Sequence, residues 1–144
     1  MKIAIASDHA GYELKEKAVK WLYSKGYDLR DFGTNSAEST DYSDYGHKLA
    51  TYIENNKDYL GIAICGSGNG INITVNKHQG IRAALCWNPE IARLARAHNN
   101  ANICSLPGRF ISEEEAIKIL EVFLNTAFEG GRHQIRIDKI PLKC

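Results

Sequence analysis

Tyr59-Leu60-Gly61-Ile62-Ala63-Ile64-Cys65, running directly into Gly66-Ser67-Gly68-Asn69-Gly70, decides the fold. The first part is a short apolar run of strand length, the pattern of a strand buried on both faces. Glycines at 66, 68 and 70 then form a turn that opens a helix closing near Gly80. A buried strand that turns through glycines into a helix is the repeating unit of a parallel α/β sheet.

The same unit recurs on either side. Upstream, the apolar run Lys2–Ser7 precedes a helical pattern with Leu14, Ala18 and Leu22 on one face, Trp21 beside them and Gly26 at the end. Tyr27–Asp31 reads as a second strand, and Phe32–Asp44 as a polar loop long enough to suggest a function. A helix then spans roughly His47–Asn55. Downstream, Ile81–Cys86 is a fourth strand. Asn88 and Pro89 are Ncap and N1 residues for a helix carrying Ile91, Leu94, Ala95 and His98 on one face. Ala101–Leu106 is the fifth strand. Ser112 and Glu115 make a capping box for a helix that buries Ala116, Leu120, Phe123 and Leu124. Beyond Gly130–Gly131 lies a basic tail, Arg132–Lys139, with Arg132 and Arg136 on one helical face. The expected fold is a doubly wound, Rossmann-like αβα sandwich of three layers, with five parallel strands and a basic helical tail. Residues 1–144 form one domain, with no linker or internal repeat.

Composition narrows the function. At 144 residues and 44% hydrophobic the chain can bury a real core, yet no apolar run approaches the ~18 residues of a membrane span. The opening MKIAIASDHAGYE lacks a cleavage pattern and reads as a strand rather than a signal peptide. A net charge of +1 offers no general attraction for nucleic acid or anionic membrane. Cys65, Cys86, Cys104 and Cys144 include no C-x-x-C pair and no zinc-ligand spacing with histidine. Free thiols, a cytoplasmic setting and a metal-free, cofactor-free site are the expectation.

Sheets of this kind bind ligands beyond the carboxyl ends of their strands. Asp8 and His9 follow strand one, Tyr42 lies on the loop after strand two, Cys65 and its glycines follow strand three, and Gly108-Arg109 follow strand five. His98 falls elsewhere, at a helix end just before strand five, and must reach such a site by another route, for instance from a second subunit. The alternate glycines let backbone N–H groups converge on an anion at a helix start. Cys86 and Cys104 suit the core, as most cysteines do. A thiol beside a nest of N–H dipoles is instead favoured as thiolate, so Cys65 reads as functional. A dinucleotide fingerprint is excluded because the motif follows the third strand and position 71 is Ile. A P-loop is absent, and Ile71 stands where a C-x5-R phosphate loop would need arginine.

In order along the chain stand Ser7-Asp8-His9-Ala10-Gly11, Thr40-Asp41-Tyr42, Cys65-Gly66-Ser67-Gly68-Asn69-Gly70, Asn76-Lys77, Arg82-Ala83, His98-Asn99, Gly108-Arg109 and Glu129-Gly130-Gly131-Arg132-His133-Gln134. This series resembles the family of ribose-5-phosphate isomerase B and the galactose-6-phosphate isomerase subunits over nearly the whole length. Some members use a thiolate base at the end of strand three, others a glutamate just after the glycine loop. With Cys65 present and Ile71 in the later place, the chain resembles the cysteine branch.

The resemblance implies an aldose–ketose isomerase acting through an enediolate. Cys65 would carry the proton between neighbouring carbons, the Gly66–Gly70 amides (Gly66, Ser67, Gly68, Asn69, Gly70) would stabilise the enediolate, and Ser67 would pass protons between hydroxyls. His98, with Asp8, would open the furanose, and Asn99 would orient the open chain. His9, Arg109, Arg132 and Arg136 would hold the phosphate, and Tyr42 would line the site. The working unit would be a homodimer or dimer of dimers with shared sites. Rival readings are an isomerase of galactose or allose 6-phosphate, a non-catalytic phosphate-binding module on this fold, and a thiol redox sensor.

Overall fold

The computed structural model describes residues 1–143. Strands β1 (Lys2–Ser7), β2 (Asp28–Asp31), β3 (Tyr59–Cys65), β4 (Ala83–Leu85) and β5 (Ile103–Pro107) form one sheet in the order β2-β1-β3-β5-β4. Every pairing is parallel. The helices are α1 (Tyr12–Ser24), α2 (Tyr42–Asn55), α3 (Asn69–Val75), α4 (Pro89–Asn99), α5 (Glu113–Asn125) and α6 (Arg132–Ile137). None is long and apolar enough to cross a membrane.

Alternation along the strands builds two different cores. Ile3, Ile5, Ile62, Ile64 and Leu106 meet Leu14, Ala18 and Leu22 of α1, Ala92 and Ala95 of α4, and Leu120 and Phe123 of α5. The opposite face of β1 and β3 offers Ala4, Ala6, Ala63 and Cys65 to Leu49, Ala50 and Ile53 of α2 and to Ile71 and Val75 of α3. Small strand residues on that side let α2 and α3 approach closely. The doubly wound sandwich of the sequence reading is the observed fold.

Several boundaries differ, each for a local reason. Helix α2 begins at Tyr42 rather than near His47, because Asp41 is extended and its carbonyl accepts the Asp44 N–H at 3.2 Å. Tyr42 therefore heads a helix instead of lying on a loop. Helix α3 stops at Val75, well short of Gly80. The Asn76 side chain donates to the Ala83 carbonyl and accepts the Ala83 N–H, each at 2.9 Å, and so ties the helix end to the start of β4. Ile81 and Arg82 stay outside β4, and Arg82 N–H donates to the Asn102 side chain at 2.7 Å instead of joining the ladder. Strand β5 starts at Ile103, since Asn100 turns left-handed at φ 45° to end α4. That helix buries Ala92, Ala95 and Ala97 and leaves Ile91, Leu94 and His98 half-buried.

One buried charge organises the crevice side of the sheet. Lys15 is fully buried on α1, and its Nζ donates to Asp31 Oδ2 at 2.7 Å and to Glu16 Oε1 at 2.9 Å. Asp31 Oδ1 accepts the Gly33 N–H at 2.8 Å. Gly33 and Thr34 then bond to Ser7, at 2.7 and 2.8 Å, at the end of β1. Asp31→Ala leaves the ammonium buried with only the half-exposed Glu16, and a loss of about 3 kcal/mol in denaturant unfolding is expected. Lys15→Met together with Asp31→Ala should recover much of it, because no charge is then left unpaired. Equal losses in the single and double variants would show that the pair is not the anchor.

Candidate active site

The connection after β1 leads to β2 on one side and the connection after β3 leads to β4 on the other, so a crevice opens between the carboxyl ends of β1 and β3. Asp8 follows β1 directly and is 5% exposed, and its Oδ1 accepts the Gly11 N–H at 3.0 Å. At Gly11 a Cβ would stand 2.7 Å from the Ile64 carbonyl oxygen, so only glycine lets this turn lie against β3. His9 is held by Thr40: its backbone N–H donates to the Thr40 hydroxyl at 3.0 Å, and its Nδ1 lies 3.1 Å from the Thr40 nitrogen and 3.2 Å from the Thr40 carbonyl oxygen. The Thr40 backbone thus occupies Nδ1, and among the described residues Nε2 is the ring nitrogen left without a protein partner.

Cys65 ends β3, is 4% exposed and faces the α2–α3 core. The following turn is held by glycine geometry. Gly68 has φ +78°, and a Cβ there would meet Leu85 at 2.5 Å and the Leu106 backbone at 3.1 Å. Among the described residues the backbone N–H groups of Ser67, Gly68 and Gly70 donate to no protein group, while Asn69 N–H uses the Ser67 hydroxyl at 3.2 Å. The Tyr42 ring lies over Gly70. Across the turn, Gly108 N–H donates to the Cys65 carbonyl at 2.8 Å and Arg109 N–H to the Gly66 carbonyl at 2.9 Å. These bonds set the Arg109 side chain over Gly66. Asp8, His9, Tyr42, Cys65, Gly66–Gly70 and Arg109 thus gather at one end of the sheet.

The other expected residues gather at the opposite end. Helix α4 runs back from β4 toward the amino end of β5, so His98 and Asn99 finish beside the strand starts. Arg82, immediately before β4, donates through Nε to the Asn99 and Asn100 carbonyls at 3.2 and 3.1 Å. Glu129 N–H donates to the Ala97 carbonyl at 2.9 Å, which docks the approach to α6 on the end of α4. Arg132 and Arg136 are exposed on α6, where His133 and Ile137 are the buried residues. The length of β5, about 16 Å at ~3.3 Å per residue, separates this group from Cys65. Three interactions here escaped the sequence reading. Thr40 holds the His9 ring in place, and its only sequence signal is the Thr40-Asp41-Tyr42 segment. Glu129 and His133 come within 4.8 Å of His98, so a His/Glu trio exists although no linear ligand spacing announces it.

A glycine turn with free amides beside a cysteine, at the switch point of a doubly wound sheet, is the arrangement of an α/β enzyme whose crevice suits a small anionic ligand. The model of the Ribose/Galactose Isomerase family matches residues 3–140, and the chain belongs to that family. It is 41% identical to ribose-5-phosphate isomerase B of Escherichia coli K12, over 96% of this chain and 93% of that protein. A ribose 5-phosphate isomerase of Thermotoga maritima superposes with a TM-score of 0.95 at 55% identity, covering 97% of each chain. The ribose-5-phosphate isomerase B of Mycoplasma genitalium, solved with bound ribulose-5-phosphate, superposes with a TM-score of 0.93 at 45% identity, over 96% of this chain and 93% of that one.

Proposed function

We propose that residues 1–144 act as one domain that interconverts D-ribose 5-phosphate and D-ribulose 5-phosphate, with Cys65 as the proton carrier. The observation that carries this reading is the buried Cys65 beside a turn whose Ser67, Gly68 and Gly70 amides are free of protein partners. Isomerisation removes the proton from C2 of the open-chain aldose and returns it to C1. Cys65 takes it as thiolate and gives it back as thiol. Charge builds on the carbonyl oxygen meanwhile, where a well-placed N–H donor is worth about 3–4 kcal/mol. Ser67 moves the hydroxyl proton between O1 and O2. His9 and Arg109 take the phosphate from the crevice side, and Arg132 and Arg136 close on it. Asn99 orients the chain, and His98 with Asp8 opens the furanose. None of these proton transfers calls for a cofactor or a metal.

One subunit cannot supply both groups, so the active unit is a homodimer, or a dimer of dimers, in which His98, Asn99, Arg132 and Arg136 complete the site of the neighbour. In keeping with that, Ile73 of α3, Ile135 of α6, and Ile140 and Leu142 beyond it are exposed apolar side chains. The cytoplasm is the compartment that suits three free thiols at Cys65, Cys86 and Cys104. Burial, with the Cys86 thiol beside it, pushes Cys104 well up, which keeps that thiol unreactive. Cys144 lies outside the described residues.

A coupled assay should give turnover of ribose 5-phosphate well above that of galactose or allose 6-phosphate. No turnover of any of the three would overturn the reading. Refolding a mixture of inactive Cys65→Ala and His98→Ala chains is expected to restore about a quarter of the wild-type sites. Random pairing makes half of the dimers mixed, and each mixed dimer holds one intact site. A fully active monomer in solution would sink the shared site.

A further inference from the structure

The segment Glu129–His133 brings two groups to His98 that the reaction above does not use. The His98 and His133 imidazoles are stacked, with ring centroids 4.3 Å apart and planes 13° from parallel. Glu129 Oε1 stands 3.8 Å from Nε2 of His98 and 3.6 Å from Nε2 of His133. His133 is 7% exposed, and among the described residues its Nε2 has no hydrogen-bond partner. A buried nitrogen in that condition is rare enough to ask for a function. The approach is built for it: Gly130 and Gly131 both take positive φ, +70° and +59°, and turn the chain so that His133 faces α4.

We propose that Glu129 and His133 are positioning residues for His98, His133 holding the plane of its ring and Glu129 stabilising its imidazolium form. The inference rests on His98 as the ring-opening group. Opening the furanose breaks the C1–O4 bond: the anomeric hydroxyl gives its proton to the Asp8 carboxylate, C1 becomes an aldehyde, and O4 takes a proton from the His98 imidazolium. The cationic ring must therefore be favoured on His98 and not on its neighbour. Burial, then the nearby His98, then Arg132 hold the His133 imidazole below its ordinary value, although Glu129 acts in the opposite sense. Arg136 also lowers it, from α6, while Glu90 and Arg93 face the trio from α4. Two stacked rings share one proton more readily than two, and Glu129 is the carboxylate next to both. A metal ion suits the trio less well. Near-parallel rings send their Nε2 lone pairs side by side rather than to one point, and two guanidinium groups stand close by.

Ring opening can be separated from the Cys65 step by substrate. Ribulose 5-phosphate forms no furanose, since its C5 oxygen is esterified, so exchange of its C1 hydrogen with D2O reads enediolate formation alone. Glu129→Gln and His133→Phe are expected to lower kcat for ribose 5-phosphate about 10–100-fold, the scale of a misplaced catalytic group. C1 exchange should stay near the wild-type rate, as it should in His98→Ala. Glu129 is 53% exposed, so Glu129→Gln decides the matter even if His133→Phe folds poorly. Equal slowing of both reactions by Glu129→Gln, or of neither, overturns the proposal. If His98→Ala slows both equally, the ring-opening reading falls and the proposal falls with it. Loss of ribose 5-phosphate turnover by the wild type in EDTA, restored by zinc, would show the trio to be a metal site instead.

Discussion

Cys65→Ala is expected to remain folded and to bind the sugar phosphate, yet to lose about 10²–10⁴-fold in kcat, the usual worth of a positioned acid–base group. The thiol stands at the carboxyl end of a buried strand, and among the described residues the Ser67, Gly68 and Gly70 amides that follow it have no protein partner. Its removal deletes one small group among Ala63, Ile71 and Val75, so the fold should survive. Cys86 and Cys104 provide the contrast. Both are fully buried in the core on the other face of the sheet. Their alanine variants should lose about 1–2 kcal/mol of stability and little rate. Exchange of the substrate C2 hydrogen with solvent, measured beside thermal melts, separates the two kinds of cysteine. Wild-type exchange in Cys65→Ala would make the thiol structural and pass the role of base to a carboxylate, Asp8 first.

Arg136→Ala should raise KM for ribose 5-phosphate about 10–100-fold, with a smaller change in kcat. A charge-assisted hydrogen bond to phosphate is worth about 1.5–3 kcal/mol, and that energy is lost before any chemistry begins. Arg136 is exposed on α6 one turn after Arg132, while Ile137 and His133 anchor the helix, so the substitution should not disturb folding. Arg132→Ala should behave in the same way, and inhibition by inorganic phosphate should weaken in parallel. Initial rates at fixed ionic strength are needed, because salt screens such contacts. Unchanged KM in both variants would leave α6 a solvated tail and place the phosphate on His9 and Arg109 alone.

Glu129, His133 and Lys15 show where reading the chain stops. Glutamate and histidine four positions apart look like any solvated pair, and only the packing of the segment onto α4 turns them toward His98. Lys15 follows Leu14 on a helix whose apolar stripe was legible, yet its ammonium is buried because Asp31 arrives from β2. The ends of α3 and β4 differ from the sequence pattern for the same reason: Asn76 and Asn102 replace backbone partners with side-chain amides drawn from distant positions.

What the sequence by itself determined is the parallel α/β sheet, its two helical layers and the crevice group around Cys65. Those follow from local patterns: apolar runs of strand length, glycines at a turn, caps at helix starts, and the rule that ligands sit at strand carboxyl ends. The place of His98 away from the strand carboxyl ends was legible too, but tertiary structure alone decided that Arg132 and Arg136 join it at the far end of the same sheet, together with Glu129 and His133. A crossover helix must run back along the sheet to reach the next parallel strand. The end of α4 is therefore carried away from Cys65 by the length of β5, about 16 Å, a distance that spacing along the chain cannot express.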